Sequence, residues 1–160
     1  MIIIVMGVCG VGKSTVAQAL SDKLHLDFLE GDSFHSEANV KKMSSGVPLT
    51  EEDRIPWLQA IRTATEEHKE QGVIVTCSAL SRNSRVLLAT ERKQVKLVFL
   101  YASESVLAAR MAARQNHFMP PELLRSQFET LQTPTQDEAL HVCVEQTPTQ
   151  VIEEILTKLS

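Results

Sequence analysis

One hundred and sixty residues, 43% of them hydrophobic and 22% charged, are enough for one compact core and lie far from the composition at which a chain stays disordered. Sixteen Lys and Arg against twenty Asp and Glu give a net charge of -4, without the basic excess of a protein that coats nucleic acid, and aromatic residues at 4% offer no ladder of base-stacking platforms. Three widely spaced cysteines argue against a disulfide framework or a paired-ligand zinc site, and the first apolar stretch is far too short to span a bilayer, so the expectation is a soluble cytoplasmic protein with neither nucleic-acid nor membrane partners.

The chain opens on an apolar, β-branched run from Ile2 to Met6, which reads as a strand buried on both faces, and a glycine-rich turn follows. Val16, Ala17, Leu20 and Leu24 recur at helical spacing from Lys13 to Leu24. Asp27 to Glu30 reads as a second strand and Ser36 to Met43 as a short helix, broken by Ser44 to Pro48. Thr50 stands as a cap before three acidic residues, and Trp57, Leu58, Ile61 and Ala64 form a stripe on a helix expected to run to about Gln71, where Gly72 ends it. Val73 to Cys77 and Val95 to Tyr101 read as further strands, with a helix at Arg82 to Ala89 between them. Ser103 caps a helix expected to reach Arg114. After an excursion from Gln115 to Pro121 come a helix near Glu122 to Leu131, a weak strand near His141 to Glu145 and a last helix over Gln150 to Leu159. Strands that are apolar throughout and alternate with helices predict a single three-layer α/β domain built on a mainly parallel sheet of about five strands.

Gly7-Val8-Cys9-Gly10-Val11-Gly12-Lys13-Ser14 fits G-x-x-x-x-G-K-S/T and lies where that motif works, between the first strand and the first helix. The glycines let the backbone curl so that its N–H groups and the helix N-terminus face phosphate oxygens. Lys13 then reaches the β- and γ-phosphates of ATP and the Ser14 hydroxyl ligates Mg²⁺ directly. The candidate ATP site is therefore Gly7 to Thr15, with Val8, Cys9 and Val11 contributing main chain. Cys9 admits two readings, a thiolate favoured by the loop amides or simply a small side chain.

On the acceptor side, Asp32 and His35 follow the second strand, at the edge where α/β sheets present ligands. Asp32 could take a hydroxyl proton and His35 could bond a polyol; alternatively, Asp32 only caps the next helix and His35 lies on the surface. The ordered series Glu30-Gly-Asp-Ser-Phe-His35, Lys41 to Leu49, Glu52 to Leu58, Cys77-Ser-Ala-Leu80, His117-Phe-Met-Pro120 and Ser126 to Leu131 resembles the gluconokinase family, relatives of shikimate kinase among the P-loop kinases of small metabolites. The resemblance runs from about Met6 to Glu138. It implies a shikimate-kinase-like core with a small mobile lid at approximately 110–125, ATP-dependent phosphorylation of the C6 hydroxyl of D-gluconate, and a possible homodimer.

Carried onto this chain, the resemblance makes Asp32 the candidate base and water-mediated Mg²⁺ partner, and His35 a substrate contact. Arg54, within Asp53 to Leu58, is the choice for gripping an anionic acceptor, since a guanidinium matches a carboxylate with two parallel bonds; the plainer alternative is a first-turn surface arginine. Arg110 and Arg114, four apart on one helix face, would close over ATP and stabilise charge on the phosphoryl group in flight, unless they form only a solvated face. His117 would shape the lid and touch substrate, and Gln132 to Asp137 resembles the loop along the adenine.

The chain departs from the family after Leu80. Lys and Tyr become Ser81 and Ser84, Asp becomes Val86, and Arg82 and Arg85 keep basic character, which leaves Arg85 as a candidate acceptor contact with helix-surface duty as the alternative. Glu30 stands for a usual Asp and Asn116 for a usual Gly. Two other functions therefore stay in view. One is a related kinase with another sugar-acid or polyol acceptor; the other is a nucleotide-binding regulatory protein with impaired catalysis.

Overall fold

The computed structural model describes residues 1–113 and 121–160. Five strands, β1 (Ile2–Met6), β2 (Asp27–Leu29), β3 (Val73–Thr76), β4 (Val95–Tyr101) and β5 (Leu140–Cys143), form one sheet in the order β2-β3-β1-β4-β5. Every pairing is parallel, with Ile2 opposite Val73 on one side and Val95 on the other. The glycine-rich loop thus leaves the central strand, and the loop after β3 emerges beside it at the carboxyl edge.

Seven helices join and cover the strands among the described residues: α1 (Lys13–Leu24), α2 (Glu37–Ser44), α3 (Glu51–Glu67), α4 (Arg82–Ala89), α5 (Glu104–Ala112), α6 (Pro121–Thr130) and α7 (Pro148–Leu159). The twofold alternation of β1 divides the core in two. Ile3 and Val5 pack with Ala17 and Leu20 of α1, Leu107 of α5 and Ile155 of α7. Ile2, Ile4 and Met6 pack with Trp57, Leu58 and Ile61 of α3 and Leu88 of α4. Both faces being covered explains why β1 and β3 are buried along their whole length, whereas β2 and β5 at the sheet edges carry Asp27 and His141 and β4 carries an exposed Lys96 near its start. Each fully buried isoleucine of β1 contributes about 1.5–3 kcal/mol of transfer free energy.

Helix α3 starts as its capping box requires: Asp53 N donates to Thr50 Oγ1 at 3.1 Å and Thr50 N to Asp53 Oδ2 at 2.9 Å. It stops at Glu67, four residues short of the expected end, because the chain unwinds into turns before Gly72, which takes φ +92° beneath Leu26 to enter β3. Helix α7 begins two residues earlier than expected, since Thr147 and Gln150 form a second capping box on either side of Pro148, which takes the first helical position. Strand β2 ends at Leu29 rather than Glu30, and a single 3-10 turn over Gly31–Phe34 takes its place. The described part of the helix capped by Ser103 ends at Ala112, so Arg114 and His117 lie outside the described residues.

Candidate active site

The phosphate loop is held open by contacts that side chains would block. Gly7 takes φ +148°, and a Cβ there would lie 2.6 Å from Leu100 O. Its N–H donates to Ser78 O at 3.3 Å, tying the loop to the segment after β3. Lys13 Nζ bridges back over the loop to Gly7 O at 2.9 Å and Val8 O at 3.0 Å. Burial pushes the Lys13 ammonium below its ordinary value, and the charge of Asp32 works against that shift. Burial pushes the Cys9 thiol up despite nearby Lys13, a shift that opposes a thiolate there, and lifts Cys77 to about 12.

Gly31 carries the acidic pair into position. A Cβ on it would sit 1.7 Å from Thr76 O, so only glycine lets the turn pack against β3. Its N–H donates to Thr76 Oγ1 at 3.0 Å and its carbonyl accepts from Trp57 Nε1 at 2.8 Å. On one side of this wedge the Glu30 carboxylate accepts from Ser14 Oγ at 2.8 and 2.9 Å and from Thr76 Oγ1 at 2.6 Å. On the other side stands Asp32.

Three pockets adjoin along the carboxyl edge of the sheet. One is lined by Gly10, Gly12 and Thr15 together with Arg110, Val144, Gln146 and Pro148. The second shares Gly10, Gly12 and Thr15 and adds Lys13, Ser14, Glu30 and Asp32. The third shares Cys9, Lys13 and Asp32 with the second and opens between His35, Arg54, Trp57, Ser78, Leu123 and Gln127. Lys13 and Asp32 thus stand where a phosphate pocket meets a cleft with an arginine and a histidine in its wall. Arg54 is one-eighth exposed and donates to Glu51 Oε1 at 3.2 Å. His35 stacks on Trp57 with ring centroids 4.0 Å apart. Burial draws the His35 imidazole below its ordinary value, Asp32 opposing and Arg54 reinforcing.

A family model described as an AAA domain matches residues 3–122. A gluconokinase from Gluconobacter oxydans (strain 621H) is 43% identical over 96% of this chain and 88% of its own length. The crystal structure of a gluconokinase from Sinorhizobium meliloti 1021 superposes with a TM-score of 0.88 at 44% identity, covering 98% of this chain and 90% of that one. The chain belongs to the gluconokinase family. An unliganded sugar kinase from Janibacter sp. HTCC2649 is similar at 40% identity and a TM-score of 0.93 over 99% of this chain and 93% of that one.

Within this gluconokinase-family fold, the expected site residues Cys9 to Thr15, Asp32, His35, Arg54 and Arg110 converge on the three pockets, while Gly7 and Val8 line none of them and instead offer their carbonyls to Lys13. Arg85 does not, and its assignment as an acceptor contact is corrected. It is 2% exposed, and its guanidinium donates to Ala79 O, Leu80 O, Gln132 O and the Glu138 carboxylate at 2.6–3.0 Å. Buried among acceptors of its own chain, it holds the loop after β3 in place. Ser81 and Ser84 also turn inward, with hydroxyls 2.8 Å apart, and Ser81 caps α4 by accepting from Ser84 N.

Gln132 to Asp137, expected along the adenine, line none of the three pockets. Gln132 Oε1 accepts from Arg82 N at 2.7 Å and Pro134 O faces His141 Nε2 at 2.9 Å, whereas Val144, Gln146 and Pro148 line the pocket beside Arg110. Two further residues escaped the sequence reading. Glu30 rather than Asp32 touches Ser14, a contact signalled only by its place at the end of β2. Gln127 of α6 accepts from the phosphate-loop amide of Cys9 at 2.7 Å while lining the acceptor cleft, and its place in the Ser126 to Leu131 motif was the available signal.

Proposed function

We propose that this chain transfers the terminal phosphoryl group of ATP to the C6 hydroxyl of D-gluconate, giving 6-phospho-D-gluconate and ADP. Membership of the gluconokinase family supports the reaction, and the observation that carries it here is the sharing of Lys13 and Asp32 by the phosphate pocket and the acceptor cleft. ATP would lie with its base side toward Arg110, Gln146 and Pro148 and its phosphates along Gly7 to Thr15. Lys13 neutralises charge on the transferring group, and Asp32 orients the acceptor hydroxyl and takes its proton. Arg54 grips the acceptor carboxylate and His35 bonds a hydroxyl. Arg110 closes on the nucleotide, with Arg114 and His117 assigned to a lid at approximately 110–125 of a single domain.

The oxygen donors around Ser14 fit Mg²⁺. A hydroxyl and two carboxylates meet in one pocket, and no cluster of three acidic, His or Cys residues among the described residues forms a dedicated cage. Such a site suits a cation bound largely by substrate phosphates. Ser14 would hold it directly, with Glu30 and Asp32 reaching it through water; when bound, it offsets phosphate charge. No helix among the described residues is long and apolar enough to cross a membrane. A cytoplasmic location and a homodimeric state complete the proposal.

The position of transfer is tested by comparing gluconate with 6-deoxygluconate in an ADP-release assay. Turnover with the first and none with the second is expected; equal turnover would place the reaction at another hydroxyl.

A further inference from the structure

His35 lines the acceptor cleft, and the Nδ1 edge of its ring is held by a side chain outside the acceptor motifs. Asn39, 5% exposed on α2, places Nδ2 2.9 Å from the carbonyl oxygen of Asp53 and 3.3 Å from His35 Nδ1. A backbone carbonyl only accepts, so the nitrogen end of the Asn39 amide must face Asp53. The same nitrogen then turns its second N–H toward His35, where only an unprotonated Nδ1 can receive it. Stacking on Trp57, itself fixed by its bond to Gly31 O, sets the plane of the ring.

We infer that Asn39 is a positioning residue that fixes His35 as the neutral Nε2–H tautomer, so that the acceptor cleft presents a hydrogen-bond donor at this point. The ligand chemistry this selects is an oxygen lone pair, from a hydroxyl or a carboxylate of the acceptor; that half of the inference rests on the proposed sugar-acid substrate. Protonating Nδ1 would set two donors against each other. Of the charged groups around the ring, Arg54 opposes a positive imidazole and Asp32 favours one, while Asp53 turns its carboxylate to Lys42 at 2.8 Å. Burial adds to the cost of the charged form.

The test is a long-range proton–nitrogen correlation spectrum of the protein labelled with ¹⁵N-histidine, the His35 signals being assigned against His35→Gln. The expected result at neutral pH is a protonated Nε2 and an unprotonated Nδ1 in the free enzyme. Asn39→Asp puts a pure acceptor beside Nδ1 and is expected to protonate it, raising the His35 titration midpoint by at least about one pH unit, a tenfold gain in proton affinity. A residue that merely filled space would leave the tautomer unchanged when replaced. A protonated Nδ1 in the wild-type protein overturns the inference without any variant, as does an unshifted midpoint in folded Asn39→Asp. Saturating gluconate should then move the Nε2 resonance. If gluconate moves nothing while the tautomer is as stated, the substrate reading fails and the tautomer assignment stands.

Discussion

Replacing Arg85 with methionine separates a structural arginine from a substrate contact. The change removes five N–H donors and keeps most of the apolar stem. Four acceptors lose their partner, but not equally. Glu138 is one-quarter exposed and regains water, and Leu80 O still accepts from Gln132 N at 2.8 Å. Ala79 O and Gln132 O lose the arginine, and Ala79 holds φ +45°, a strained backbone that the bond to Arg85 helps to fix. Gln132 is exposed and its carbonyl regains water, so the buried Ala79 O at about 1–3 kcal/mol and the lost charged bond to Glu138 at about 1.5–3 kcal/mol give a destabilisation of about 2.5–6 kcal/mol. With a urea m-value of about 2 kcal/mol/M, the unfolding midpoint should fall by about 1–3 M. Turnover measured on the folded variant in the cold should keep acceptor KM within about threefold, below the cost expected for losing a charged hydrogen bond to substrate. An unchanged urea midpoint with an acceptor KM raised more than tenfold would refute the reasoning and return Arg85 to the cleft.

Asp32→Asn should retain nucleotide affinity, read by calorimetry, and lose about 10²–10⁴ in kcat, since the amide cannot take the hydroxyl proton. Glu30→Gln should raise the Mg²⁺ concentration for half-maximal rate by about 10- to 100-fold through its contact with Ser14, with acceptor KM little changed. Cys9 and Cys77, whose thiols burial pushes up, should react more slowly with iodoacetamide at pH 7 than the partly exposed Cys143, by peptide mass mapping. Because the folded His35 pKa is depressed, its contribution to stability is present above the ordinary value of 6.5 and is lost as pH falls through the folded value. Urea midpoints should therefore decline more steeply below pH 6.5 in the wild-type protein than in His35→Gln.

The fold was legible because β1, β3 and the Leu97 to Leu100 part of β4 carry mostly apolar runs, which suit a sheet covered on both faces. The phosphate loop was legible because its chemistry is local: glycines, a lysine and a hydroxyl within eight residues of strand and helix. Arg85 was misread because its partners Gln132 and Glu138 lie 47 and 53 residues away, and nothing near it in sequence reports their approach. Glu30 was passed over for the same reason, its contact with Ser14 spanning 16 residues from the start of α1 to the end of β2. The pocket proposed for the nucleotide base is lined by the turn between β5 and α7, and Val144 to Pro148 carries no side-chain signature of its own there.

Lys13 and Asp32 are proposed to stand where Mg·ATP and gluconate meet. ADP release by the purified wild-type protein, with Mg·ATP fixed and gluconate varied, tests this most directly. A saturable, gluconate-dependent rate well above the slow hydrolysis without acceptor is expected. Tight binding of Mg·ATP with no stimulation by gluconate would contradict it.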